Sequence, residues 1–153
     1  MPFNFNQWIK DNKDKLKPPV SNKNMYPLSD DYIVMVVAGP NARKDYHYNE
    51  TEELFYQLEG DISVKIQVDG KAVEVPIKEG EMFLLPAKVP HSPIRPANSI
   101  GLVIERKRKS HHKDGLMWFS DKENALLYEE YFHLTNIEKD FLPVFKKFYN
   151  DEK

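Results

Sequence analysis

The sequence predicts an all-β fold with short helices near its two ends. Alternating apolar and polar residues, β-branched runs and frequent turn residues indicate strands over a core of about 32–106. Turn signals about every 8–12 residues are typical of a β-sandwich or barrel. A chain of 153 residues is long enough to bury a core, so a single domain covering 1–153 is expected.

Individual strands follow from local patterns. The clearest is a hairpin around Asp69-Gly70, because apolar residues alternate with polar ones on both sides of this turn, over 62–68 and 73–77. Further apolar runs predict strands at Tyr32–Val37, Leu54–Glu59, 82–86 and Ile100–Ile104.

The N-terminal segment 3–17 is predicted to be a short amphipathic helix. Its apolar anchors are Phe5, Trp8, Ile9 and Leu16. Pro18-Pro19 is expected to end the helix, since proline lacks an amide donor and disfavours helical geometry in the residue before it. The stretch 18–31, rich in proline, asparagine, serine and aspartate, is expected to be a loop.

The C-terminal segment, about 125–150, is predicted to be helical in two stretches, 125–131 and 138–149. In the second stretch an apolar stripe at helical spacing is formed by Phe141, Val144 or Phe145, and Phe148. The stripe would pack either on the barrel or on a partner subunit.

Composition excludes several classes of protein. A net charge of −2 gives no general attraction to nucleic acid or anionic membranes, and the basic stretch 106–113 has no interleaved aromatics, so it is expected to be a solvated loop. No apolar run approaches the roughly 18 residues of a membrane span, and the N-terminus lacks the pattern of a secretory signal. The absence of cysteine excludes disulfides, Fe–S clusters and zinc ribbons, and a cytoplasmic location is expected.

Three residues have the spacing of a metal site. His47 and Glu53 are six residues apart across a predicted strand–turn–strand segment, and His91 follows the apolar run 82–86. Two imidazoles and one carboxylate on one side of a metal leave other coordination positions free, as in non-haem Fe(II) oxygenases. Histidines are also common as ordinary hydrogen-bonding residues, so spacing alone leaves both interpretations open.

Two arginines flank the candidate ligands. Arg43 lies four residues before His47, and Arg95 lies four residues after His91. Beside an open metal, such a pair favours an anionic substrate that carries a carboxylate. The alternative is that these arginines are solvated or form surface ion pairs, which contribute little.

The remaining carboxylates are less clearly placed. Glu105, at the end of the last predicted strand, could pair with Arg106 at the rim or point inward as a hydrogen-bond acceptor. Four other acidic residues are expected to be solvated, and they are Asp45, Glu50, Glu52 and Glu59.

Longer strings of sequence resemble a known family. Gly39–Gly60, which contains the first two candidate ligands, resembles the first cupin motif, and Gly80–His91 resembles the second. Tyr46 stands where many cupins have another histidine. This departure, together with the strings 91–96 and 102–106, makes the chain similar to the 3-hydroxyanthranilate 3,4-dioxygenase family over nearly its whole length.

The resemblance implies a jelly-roll cupin barrel with a catalytic iron. His47, Glu53 and His91 would hold Fe(II), one ion per subunit. The resemblance also implies that many bacterial and fungal relatives bind a second iron through two C-terminal Cys-x-x-Cys pairs. Here Ser120 and Glu123 occupy the places of the first pair, and the chain ends without a second.

The resemblance also implies roles toward the substrates, 3-hydroxyanthranilate and O2. Arg95 would clamp the substrate carboxylate, Glu105 would accept a hydrogen bond from the ring substituents, and Arg43 would face the dioxygen. Glu53 would border the substrate, and Asn22 would lie on a mobile loop that closes over the site. Arg43 and Glu105 would be the catalytic groups.

The expected reaction is extradiol-type ring opening to 2-amino-3-carboxymuconate semialdehyde, in the kynurenine route to quinolinate and NAD, and a homodimer is expected. Two alternatives remain open from the sequence. One is a cupin acting on another substrate class, such as a thiol dioxygenase or a sugar isomerase. The other is a non-catalytic cupin that binds a small acid.

Overall fold

The computed structural model describes residues 1–18 and 21–151, and within these residues strands dominate. The strands, in chain order, are β1 (Asn22–Asn24), β2 (Tyr32–Ala38), β3 (Tyr46–Tyr48), β4 (Glu53–Glu59), β5 (Ile62–Val68), β6 (Lys71–Ile77), β7 (Met82–Leu85), β8 (His91–Ile94), β9 (Ile100–Arg106), β10 (Asp114–Phe119) and β11 (Leu126–Phe132). The helices are α1 (Phe5–Asn12), followed by a 3-10 turn at Lys13–Lys15, and α2 (Ile137–Asp151). The predicted all-β class is confirmed.

The strands of the described residues form two antiparallel sheets. The five-stranded sheet has the order β1-β2-β9-β4-β7, and the six-stranded sheet has the order β11-β10-β3-β8-β5-β6. The sheets are not joined into one closed barrel in the described residues, and this double-sheet arrangement is that of a jelly roll. Neighbouring strands come from distant parts of the chain, so long-range pairing decides which side chains meet.

The main core lies between the two sheets. Its buried members come from both sheets, and they are Phe55, Ile62, Val64, Ile77, Leu85 and Val103. The predicted hairpin is present, with β5 paired to β6 through Asp69-Gly70. Both turn residues have positive φ values, 50° and 75°, as a two-residue turn between twisted strands requires.

Helix α1 is shorter than the predicted 3–17. It begins after Asn4, whose side-chain oxygen accepts a hydrogen bond from the backbone N–H of Gln7 at 2.9 Å and caps the helix. Ile9 and Leu16 are buried against β2 and β9. Of the predicted stop Pro18-Pro19, the second proline lies outside the described residues.

The C-terminal prediction is half wrong. Residues 125–131 were expected to be helical, but β11 occupies this segment and pairs along β10, another strand that the sequence pattern did not indicate. Leucine and glutamate are good helix formers, yet the ladder with β10 overrides that local preference. The core therefore extends beyond 32–106, since β1 precedes that range and β10 and β11 follow it.

The second predicted stretch is confirmed as α2. Its stripe, Phe141, Val144 and Phe148, is buried against Leu116 and Trp118 of β10. The stripe therefore covers the six-stranded sheet of its own chain. In the described residues, no helix is long and apolar enough to cross a bilayer.

Candidate active site

One cavity of about 760 Å³ opens between strands of both sheets and helix α2. All of the residues predicted for the site line it, and they are Asn22, Arg43, His47, Glu53, His91, Arg95 and Glu105. Apolar residues, including Phe55 and Phe141, complete its walls. The roles predicted for these residues stay predictions, but the fold does bring them to one place.

The two histidines are direct neighbours across paired strands. His47 on β3 and His91 on β8 are register partners, and their ring centroids are 5.2 Å apart. Alternation along a strand sends every second side chain to the same face, so this register places both rings on the cavity side.

His91 and Glu53 face each other closely. The backbone carbonyl of Val89 can only accept, so Nδ1 of His91 donates to it at 3.0 Å, and Nε2 is turned to Oε2 of Glu53 at 2.8 Å. Burial acts to lower the pKa of His91, but Glu53, the carbonyl of Val89 and the charge of Glu105 together outweigh burial and raise it.

Oε2 of Glu53 is nevertheless buried without a hydrogen-bond partner among the described residues, although it lies 2.8 Å from Nε2 of His91. A cation shared by the two atoms would satisfy both. The two facing atoms, an imidazole nitrogen and a carboxylate oxygen 2.8 Å apart, are both of the kinds that bind divalent metals. This pair therefore fits two positions of a metal site.

The third candidate ligand is held by a residue that the sequence interpretation missed. Nε2 of His47 lies 2.6 Å from Oδ2 of Asp114, which is completely buried at the start of β10. Burial lowers the pKa of His47. Burial opposes ionisation of Asp114 as well, but hydrogen bonds from His47 and Arg108 lower the pKa of this carboxyl. An ionised Asp114 only accepts, so His47 donates through Nε2 and leaves Nδ1 unprotonated.

In the described part of the chain, no three His, Asp or Glu side chains are closed around a single point. His47 meets Asp114 through one of its two imidazole nitrogens, so the other nitrogen is the one that remains for a metal. The donor set of two imidazoles and one carboxylate still fits a divalent transition metal by its chemistry. Asp114 then corresponds to the outer carboxylate that commonly orients a metal-binding histidine.

Two glutamates face each other on the opposite sheet. Glu53 on β4 and Glu105 on β9 are register partners. Burial favours protonation of both, but at Glu53 the combined effect of His91, His47 and Glu105 outweighs burial and lowers the pKa of the carboxyl to about 2. At Glu105, burial and the charge of Glu53 together raise the pKa to about 7.

Glu105 points inward and is 4% exposed, which answers the question left open by the sequence. Its partner is Arg108, with Nη1 donating to Oε1 at 2.6 Å, rather than Arg106. Arg108 lies in the basic stretch that was expected to be solvated, yet its side chain is almost completely buried.

Arg95 is a buried cation with spare donors. It is 5% exposed, and its Nη1 has no hydrogen-bond partner among the described residues. Burial lowers the pKa of Arg95 to about 10, while the charge of Glu53 opposes the change. Asn41 fixes the backbone here, because its side-chain oxygen accepts from the N–H of Arg95 at 2.9 Å. An unpaired buried guanidinium is well suited to bind an anionic ligand group.

Arg43 is held between a carboxylate and two aromatic rings. Its Nε and Nη2 donate to the two oxygens of Asp45 at 2.9 and 2.5 Å. The guanidinium carbon lies 5.2 Å from the ring centroid of Phe141 and 5.4 Å from that of Phe145, within cation–π distance. Asp45 was expected to be solvated, and that prediction is wrong, since Asp45 is 4% exposed.

Asn22 was expected on a mobile loop, but it begins strand β1 and is paired with Val37 of β2. Helix α2 contributes another neighbour that was not predicted, because the ring of Phe141 meets the ring of His47 edge-on at 5.5 Å. No motif marks Asp114 or Arg108 as a site residue in the sequence, and Phe141 was predicted only as part of the apolar stripe of the C-terminal helix. A strand assignment for 114–119 next to the first cupin motif would have been the signal for Asp114.

Comparison with known proteins identifies the family that this sequence matches. The family model of 3-hydroxyanthranilic acid dioxygenase matches residues 1–149. A protein of Xanthomonas campestris pv. campestris named 3-hydroxyanthranilate 3,4-dioxygenase is 55% identical over 97% of this chain and 83% of its own length. A protein of Danio rerio with the same name is 47% identical over 98% of this chain, which spans 52% of the fish protein.

Solved structures support the fold. A cupin-2 domain protein of Shewanella frigidimarina has a TM-score of 0.54 and 22% identity, over 69% of this chain and 94% of that one. A protein of Neisseria meningitidis has a TM-score of 0.54 and 20% identity, over 70% of this chain and all of that one. The predicted cupin fold is confirmed.

Proposed function

This chain belongs to the 3-hydroxyanthranilic acid dioxygenase family and is a dioxygenase, and from that premise we propose that it opens the ring of 3-hydroxyanthranilate at an Fe(II) centre. The reaction is of the extradiol type and gives 2-amino-3-carboxymuconate semialdehyde. The observation that carries the proposal is the shared cavity, which is lined by the facing pair Glu53 and His91 and by the buried Arg95, whose Nη1 has no hydrogen-bond partner within residues 1–18 and 21–151.

His47, Glu53 and His91 are the residues that would hold the iron. The unpartnered Oε2 of Glu53 and its 2.8 Å separation from Nε2 of His91 support this assignment. When bound, Fe(II) supplies a redox-active centre with free positions for both substrates. The sequence has no cysteine for a second thiolate-bound iron, so the proposal is one iron per subunit.

The remaining residues bind and orient the substrate. Arg95 would take its carboxylate, because the guanidinium is already desolvated and has a donor to spare. Glu105 would accept the proton of the ring hydroxyl, for which a carboxylate in this buried position is well placed. Glu53 and Asn22 border the same cavity.

Arg43 would stabilise negative charge that develops on dioxygen. Its side chain lines the cavity and is fixed by Asp45 on one side and by aromatic rings on the other. A cation that is held in place before the reaction stabilises developing charge without having to reorganise.

The proposal includes a homodimer in the cytoplasm. The product would cyclise to quinolinate, in the kynurenine route to NAD. The family membership supports these statements, and each can be tested separately from the chemistry.

The decisive experiment is anaerobic reconstitution of the full chain with Fe(II), followed by addition of oxygen and 3-hydroxyanthranilate. We expect one equivalent of iron to bind, one equivalent of oxygen to be consumed per substrate, and the absorbance of the opened ring to appear. Thiol and sugar substrates serve as controls. Turnover of one of these instead, or tight binding of the acid without oxygen uptake, would replace the proposal by another cupin function.

A further inference from the structure

A buried guanidinium joins the two sheets beside the cavity. Arg108 follows β9 of the five-stranded sheet, and its side chain is 4% exposed. Its Nε and Nη2 donate to the two oxygens of Asp114 at 2.9 and 2.7 Å, and its Nη1 donates to Oε1 of Glu105 at 2.6 Å. Arginine alone among side chains can bind one carboxylate with two parallel bonds and still reach another.

Asp114 extends this contact to His47. Its Oδ2 accepts from Nη2 of Arg108 and also lies 2.6 Å from Nε2 of His47. A carboxylate that accepts from one imidazole nitrogen fixes the orientation and tautomer of the ring and leaves the other nitrogen for a metal. The orientation of Asp114 is in turn fixed by the two bonds from Arg108.

Glu105 depends on the same guanidinium. It faces Glu53 across the β4–β9 register, where two carboxylates side by side repel each other. In the hydrogen bonds of the described residues, Arg108 is the cation that Glu105 and Asp114 share. Buried carboxylates without a cationic partner are costly, so the position of Arg108 decides where both can lie.

We propose that Arg108 is a positioning residue that orients His47 through Asp114 and holds the carboxylate of Glu105 toward the substrate. One guanidinium thus sets both the metal-binding and the substrate-binding side of the cavity. The substrate half of this inference rests on the proposed function, whereas the metal half can be measured without turnover.

The first test is a Co(II) titration of the metal-free full chain, followed by visible absorption of the bound ion. The variants are Asp114→Asn, which keeps the shape but removes the charge, and Arg108→Lys, which keeps the charge but loses the two-pronged geometry. We expect Co(II) affinity to fall by about 10- to 100-fold in each, with a changed spectrum of the bound ion. The matched control is Arg106→Lys, two residues earlier and exposed, for which we expect no change.

A double variant that combines Arg108→Lys with Asp114→Asn tests whether the two residues act through one chain of contacts or independently. If Arg108 acts on His47 only through Asp114, the double variant should bind Co(II) about as weakly as Asp114→Asn alone. A double variant in which the two losses multiply would overturn the inference. So would Arg108→Lys with wild-type Co(II) affinity and an unchanged spectrum.

The substrate half is read from steady-state kinetics at saturating iron. We expect Arg108→Lys to lower kcat more than it raises KM, because Glu105 would be misplaced while Arg95 still binds the carboxylate. Thermal unfolding of each metal-free variant tests for a general loss of fold. A general loss of fold would not change the spectrum of the Co(II) that does bind, so a changed spectrum indicates a repositioned ligand. A wild-type chain that binds Co(II) but opens no ring would refute the proposed function and leave the metal half standing or falling on the titration. An unchanged kcat in Arg108→Lys would overturn the substrate half.

Discussion

Each of the two walls of the cavity contains one pair of register partners, but the chemistry of the two pairs is opposite. On the six-stranded sheet, His47 and His91 are register partners, and on the five-stranded sheet, Glu53 and Glu105 are register partners. Neighbouring imidazoles can both be neutral, whereas two facing carboxylates repel each other and must be compensated. The imidazole pair on the six-stranded sheet, the nitrogen wall, therefore needs no compensating cation, whereas the glutamate pair on the five-stranded sheet, the carboxylate wall, does need one.

The compensation comes from two arginines that flank the strands. Arg95, which follows β8 of the six-stranded sheet, interacts electrostatically with Glu53. Arg108 donates a hydrogen bond to Glu105. The carboxylate wall therefore receives one compensating cation, Arg95, from the opposite sheet and the other, Arg108, from its own sheet. Variants on the two walls should therefore fail in different ways.

The largest effect is expected on the nitrogen wall. His47→Ala should remove a candidate ligand, weaken iron binding by more than about 100-fold and abolish turnover, because loss of a ligand should exceed the effect of losing an outer partner. Iron content after anaerobic reconstitution measures this, and the exposed His111 replaced by alanine is the control. A variant that keeps both iron and activity would remove His47 from the ligand set.

On the carboxylate wall, Glu105→Gln should separate metal binding from chemistry. We expect iron to bind nearly as in the wild type, while kcat falls by about 100-fold or more, which is the usual contribution of a general base. The test pairs an iron titration with initial rates. Loss of iron binding in this variant would break the distinction between the two walls.

Arg95→Ala should act on the substrate rather than on the metal. Removing a charge-assisted bond costs about 1.5–3 kcal/mol, so KM for 3-hydroxyanthranilate should rise by about 10- to 150-fold. The control Arg106→Ala, on the exposed side of the same region, should leave KM unchanged. Unchanged values of KM and kcat in Arg95→Ala would argue against the carboxylate clamp.

The smallest effect is expected for Asp45→Asn, which loosens Arg43 without removing it. Arg43 is 44% exposed, so solvent screening limits the contribution of this ion pair to about 0.5–1 kcal/mol. We expect kcat to fall by about 2- to 5-fold with KM unchanged. A rise in KM instead would place Arg43 at the organic substrate rather than at dioxygen.

Local pattern was enough for part of this molecule. The alternation on both sides of Asp69-Gly70 predicted the β5–β6 hairpin, because strand period and turn chemistry are encoded within about 15 residues. The candidate residues His47, Glu53 and His91 were found in the same way, from spacing and from motifs that resemble a family. Their convergence on one cavity agrees with those predictions.

Long-range pairing supplied what local pattern could not. Residues 125–131 have helix-forming composition, but pairing with β10 makes them a strand. His47 and Asp114 are separated by 67 positions, and they meet only because β3 pairs with β10. Arg108 was missed because a basic run resembles a solvated loop until the carboxylates around it are known.

The stacking of Trp118 on Phe148, with centroids 4.4 Å apart and the rings 11° from parallel, gives the protein a built-in optical reporter. Helix α2 carries Phe148 on this stack and Phe141 against His47, so the helix cannot lift from the imidazole without altering the surroundings of the indole. Indole emission depends on such surroundings. With Trp8 replaced by phenylalanine, Trp118 is the one remaining indole in the sequence. Rapid-mixing fluorescence would then measure whether, and how fast, the surroundings of Trp118 change after substrate is added.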